Sequence, residues 1–111
     1  MNYLFHSSNT AIDNLVQFFG GYFHQDFFHD AGTPEQVVRQ FVSEGYSQDE
    51  IRMLAREIAL YADSKKDDVS AEVDLFRELH CYYSPSMEGL GARSWLRHLS
   101  DLLASAASFR N

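Results

Sequence analysis

The stretch Gly32–Ala62, GTPEQVVRQFVSEGYSQDEIRMLAREIALYA, holds two helix starts and one helix stop. Thr33 is a capping residue, and Pro34 suits the first helical position, where its missing N–H has no intrahelical partner to lose. Gln36 can complete a capping box. Val37, Val38, Phe41 and Val42 recur at helical spacing and predict the buried face. Gly45 supplies a left-handed stop. Ser47 and Glu50 repeat the capping-box pattern and open a second helix, SQDEIRMLAREIALYA, with Ile51, Leu54, Ile58 and Tyr61 or Ala62 as its stripe.

Outward from this pair the signals remain helical. Thr10 with Asp13 resembles another capping box, followed by a stripe of Leu15, Phe18 or Phe19, and Tyr22 or Phe23. Gly20 and Gly21 either end that helix or let another helix pack closely; each costs about 1 kcal/mol in a helix interior. DSKKDDVS, residues 63–70, is polar and predicts a loop. A helix is predicted to resume near Ser70 with Val73, Phe76 and Leu79 or His80 inward. CYYSPSMEGLG carries Pro85, Gly89 and Gly91 and predicts a connector. The last helix is expected from Ala92 to Ala107, facing inward with Trp95 or Leu96, Leu99, Leu102 or Leu103, and Ala106. HCYYS could pass for a strand, but a lone strand has no partner. The expected fold is therefore all-α, a compact irregular bundle of five or six short helices, in one domain over residues 1–111.

Composition narrows the function. The chain has 111 residues, 45% hydrophobic, as suits a globular protein. No apolar run approaches the roughly 20 residues of a membrane helix, and MNYLFHSSNT lacks a basic leader, so neither membrane insertion nor a signal peptide is expected. The one cysteine, Cys81, can form no intrachain disulfide; a reducing compartment, hence the cytoplasm, is the expectation. Net charge is −7. Residues 1–50 hold seven acids, Asp13, Asp26, Asp30, Glu35, Glu44, Asp49 and Glu50, against one base, Arg39, so that −6 falls in this half and −1 in the rest. Such a field repels phosphate backbones and argues against nucleic-acid binding. It attracts a basic partner. It also serves plain solubility.

Three clusters carry potential chemistry. GGYFHQDFFHD, Gly20–Asp30, offers His24, Asp26, His29 and Asp30, ligand types that suit zinc or iron. Neither histidine has the other at i+3 or i+4, so a helix does not bring them together. The plainer expectation is aromatics in the core and polar groups bonded to backbone, with no metal and no cofactor. His80-Cys81 offers an imidazole and a thiol, but adjacent residues point apart, and a buried structural cysteine is expected. No GxSxG, phosphate-binding glycine loop or HExxH is present. Tyr82, Tyr83 and Trp95 suit an interface and a core equally.

Tyr22-Phe23-His24-Gln25-Asp26 resembles the YFHQD signature of the CdiI-type immunity proteins of bacterial contact-dependent growth inhibition. Gly32-Thr33-Pro34-Glu35 opening a helix, Cys81-Tyr82-Tyr83, and Trp95-Leu96 in the closing helix follow in order, so the resemblance spans roughly residues 13–103. It implies a small cytoplasmic protein, not an enzyme, that binds and blocks the C-terminal domain of a secreted toxin. Such toxins are often nucleases with basic surfaces, which an acidic inhibitor complements. A signature shared by proteins that face different toxins implies a structural role for Tyr22, Phe23, His24, Gln25 and Asp26, with Phe27 also anchoring the core. Contact is then expected from the acidic half, with Asp13, Asp30, Glu35, Glu44, Asp49 and Glu50 as candidates. The alternative is a small metal- or cysteine-dependent enzyme using His24, Asp26 and His29, or Cys81. Oligomeric state is left open.

Overall fold

In the computed structural model, which describes residues 11–24 and 33–108, the capping signals at Thr33 and Ser47 are realised, while Thr10 lies outside the described residues. Ser47 Oγ accepts from the Glu50 N–H at 3.1 Å, and the Glu50 carboxylate accepts from the Ser47 N–H at 2.8 Å. Thr33 Oγ1 accepts from the Gln36 N–H at 3.2 Å. Among the described residues there are five α-helices: α1 (Ala11–Tyr22), α2 (Pro34–Val42), α3 (Gln48–Asp63), α4 (Asp68–Leu79) and α5 (Ala92–Ser108), with a 3-10 turn over Pro85–Glu88. The described residues contain no strand, so the fold is all-α.

The two longest helices, α3 and α5, form the principal pair. They run antiparallel: Gln48 Nε2 at the start of α3 donates to the Ala107 carbonyl at the end of α5 (3.0 Å), while Arg93 Nε donates to the Ala62 carbonyl (3.3 Å). Midway, the buried Ser100 hydroxyl donates to the Ala55 carbonyl at 2.6 Å. The small residues Ala55 and Ala62 on α3 sit buried where α5 approaches. Alpha-helix α2 packs on α5, and α4 packs on both α1 and α5.

Gly20 and Gly21 do not interrupt α1, which continues to Tyr22. A Cβ on Gly20 would sit 3.6 Å from His80 Cβ, an ordinary van der Waals contact, and Gly21 faces open space, so neither glycine is needed for a close approach to α4. Leu15, Phe18, Phe19 and Phe23 are all buried. Phe23 meets Trp95 edge-on at 5.4 Å and lies 6.2 Å from Tyr83, and Tyr83 and Trp95 rings lie 4.8 Å apart. Tyr83 and Trp95 thus belong to the core.

Three expectations are corrected. The 63–70 loop is shorter, because Asp67 caps a helix that already begins at Asp68, accepting from the Ser70 N–H at 2.8 Å. The inward face of α4 is Ala71, Leu75 and Leu79; Val73 and Phe76 face outward, and His80 is exposed in the left-handed conformation (φ 57°) that ends the helix. On α5 it is Ala107, not Ala106, that completes the buried stripe.

Candidate protein interface

The acidic candidates sit at helix ends. Asp13, Glu35, Asp49 and Glu50 each lie in the first turn of a helix, where a carboxylate complements the positive end of the helix dipole. Glu44 follows the end of α2, and Asp30 lies outside the described residues. Glu50, Glu44 and Glu35 already serve the chain's own structure. Glu50 completes the α3 capping box. Glu44 accepts a hydrogen bond from the Tyr22 hydroxyl, and burial together with that carboxylate pushes the Tyr22 phenol above its ordinary range. Glu35 Oε2 lies 3.2 Å from His98 Nε2, a contact that holds its carboxyl below the usual range. Glu44 and Glu50 meet electrically at Tyr46, whose phenol is raised by burial and then by both carboxylates. All five described acids are at least partly exposed and contribute to an external field.

Of the signature residues, Tyr22 packs its ring against Phe18 and Phe41, both centroids at 5.5 Å, and Phe23 is fully buried. His24 is half-buried just past α1, while Gln25, Asp26 and His29 lie outside the described residues. Among the described residues no three His, Cys, Asp or Glu side chains are placed to hold a metal ion. Cys81 is buried, its thiol pushed up to about 12 by burial, and Sγ donates weakly to the Tyr83 carbonyl at 3.6 Å. His80 beside it points to solvent. A thiol so protonated at neutral pH is no nucleophile.

The structure adds a feature that the sequence reading missed. Because α4 turns Ala71, Leu75 and Leu79 inward, its other apolar stripe, Val69, Val73 and Phe76 at i, i+4, i+7, faces out. The connector after α4 folds back beside it. The Phe76 and Tyr82 rings meet edge to face at 5.2 Å, and Leu90 completes an open groove of about 470 Å³. Two carboxylates fasten the groove. Glu72 accepts from Ser84 Oγ at 2.8 Å, the Ser86 N–H at 2.9 Å and Ser86 Oγ at 2.6 Å. Burial opposes its ionisation, but these donors outweigh it and hold the carboxyl below the ordinary range. Asp68, in the first turn of α4, accepts from the Arg93 N–H at 3.0 Å and so caps α5. A Cβ at Gly91 would lie 2.6 Å from Asp68 Oδ2, so a larger residue there would push this carboxylate aside.

The described residues thus present acidic helix ends outside, an apolar groove on one face and a thiol sealed inside. Among the described residues no helix is long and apolar enough to cross a membrane. Comparison with protein families then supplies the particular assignment: the family model described as CdiI immunity protein matches residues 11–103, and the chain belongs to that family. No curated protein and no solved structure matches it.

Proposed function

We propose that this protein neutralises the C-terminal toxin domain of a contact-dependent growth inhibition system by binding it directly and reversibly in the cytoplasm, as a single domain and without catalysis. Membership of the CdiI immunity family across residues 11–103 carries this reading. The charge supports its finer part. With −6 of the net −7 in residues 1–50, Asp13, Asp30, Glu35, Glu44, Asp49 and Glu50 steer a basic toxin surface, such as that of a nuclease, towards the complex. That use does not compete with their roles at helix starts, because steering acts at a distance. The buried, protonated thiol of Cys81 gives the enzymatic alternative no support.

The probe is the C-terminal domain of the exoprotein encoded beside this chain. Cells producing the protein are expected to survive expression of that domain, and the two are expected to co-purify. The association rate should fall at least about tenfold from low to high salt. Absence of both protection and binding overturns the reading; binding with a salt-independent association rate overturns only the electrostatic part.

A further inference from the structure

Building on that toxin-binding reading, we propose that the groove between α4 and the 82–90 connector is where the toxin domain anchors, receiving an apolar side chain that has a lysine or arginine beside it. Five of the nine exposed large apolar side chains among the described residues line this one groove: Val69, Val73, Phe76, Tyr82 and Leu90. They add little to the fold, because α4 already buries Ala71, Leu75 and Leu79 on its opposite side. Val69 is 75% exposed and Phe76 54%. An apolar collection of this kind, open to water and rimmed by polar groups, marks an interaction surface.

The charge of the groove selects the occupant. Asp68 and Glu72 line it against one cation, Arg77. The hydrogen bonds from Ser84 and Ser86 keep Glu72 ionised, so an anion stands in an apolar wall. A second copy of this chain is a poor fit. A two-fold contact would bring together two grooves that each hold two carboxylates against one cation, on two bodies that each carry −7. A partner with apolar and basic side chains adjacent meets both features at once. Aromatic side chains and arginines seated in desolvated pockets are the usual centres of binding energy at protein interfaces. The groove governs how long the complex lasts, whereas the acidic helix ends govern how fast it forms.

The test measures association and dissociation rates of the full chain with the toxin domain encoded beside it. Phe76→Ser and Val73→Ser are expected to fold as the wild type and to raise the dissociation rate at least about tenfold each. Their association rates and salt dependence should be unchanged. The paired change Glu35→Gln with Asp49→Asn should do the reverse, slowing association and leaving dissociation alone. Val69→Lys supplies an independent probe of the same wall at a site too exposed to threaten folding, and it too should speed dissociation. If all three groove variants dissociate like the wild type, the groove assignment is overturned while the toxin reading stands. If the wild type neither binds nor protects, both fall. Sedimentation of the wild type alone should show a monomer; a dimer that Phe76→Ser disperses would hand the groove to a second copy and overturn the proposal.

Discussion

Replacing Phe23 with alanine isolates what the aromatic signature contributes to the fold. The ring is fully buried and lies 5.4–6.2 Å, centroid to centroid, from Phe18, Phe19, Tyr83 and Trp95. It therefore joins α1 to the connector and to α5 at once. Deleting a buried phenylalanine costs about 3–5 kcal/mol, from lost transfer energy and from the cavity left behind. The four-ring surroundings favour a value near 4 kcal/mol, because rings held by several elements cannot collapse into the space. A domain of this size has about 5–15 kcal/mol in total, so roughly a quarter or more is lost. Urea melts read by the fluorescence of Trp95, the chain's one tryptophan, should show the midpoint falling by about 2 M at an unchanged slope near 2 kcal/mol per M. The hydrogen bond from the Tyr82 N–H to the Phe23 carbonyl, 2.7 Å, is backbone and survives. Phe76→Ala, half-exposed in the groove, should cost less than about 1 kcal/mol. A Phe23→Ala loss below about 1.5 kcal/mol, or one matched by Phe76→Ala, would refute the assignment of Phe23 as a core anchor.

Gly91→Ala should displace the Asp68 carboxylate and uncap α5, costing about 1 kcal/mol. Asp68→Ala should cost as much, and the double variant no more than either alone; additive losses would contradict the shared cause. Thermal stability should fall as pH drops below the ordinary glutamate value of 4.5, because Glu72 and Glu35 are held below it and their contribution is lost as they protonate. Glu72→Gln should be less stable than wild type near neutrality and converge with it as the pH falls through the lowered value of Glu72, and parallel curves would exclude this role. With its thiol near 12, Cys81 should have about one part in ten thousand as thiolate at pH 8, so a thiol reagent should label it only on unfolding. Rapid stoichiometric labelling of the native protein would contradict its burial.

The elements that sequence placed well are those whose signals are local. Ser47 with Glu50, and Thr33 with Gln36, each specify a helix start through groups three residues apart; the first forms the full capping box and the second its Thr33 half. The stripe of α3 was equally plain, because Arg52, Arg56 and Asp63 mark its wet side. Helix α4 was misphased for a physical reason. It carries two apolar stripes, Ala71-Leu75-Leu79 and Val69-Val73-Phe76, and bulk favours the second as core. The first is inside because α4 must sit against α1 and α5, a constraint that lies outside the helix's own sequence. The groove was illegible for the same reason. It depends on Ser84 and Ser86 returning to Glu72, and on Asp68 reaching Arg93, 25 positions away. Periodicity does not encode contacts of that range. Tyr82 and Tyr83 show the limit in miniature, since one lines the groove and its neighbour fills the core.

The ties made by Asp68 and Glu72 join α4, the connector and α5 into one rigid frame before any visitor arrives. Ordering a rotamer-rich side chain on binding costs about 0.5–1.5 kcal/mol, and here that cost falls chiefly on the incoming protein. Residence time then follows the match of shapes across the cleft. Val69, Val73 and Phe76 hang from the frame without holding it up, so a lineage can recut this lock for a changed key while its scaffold stays as it is.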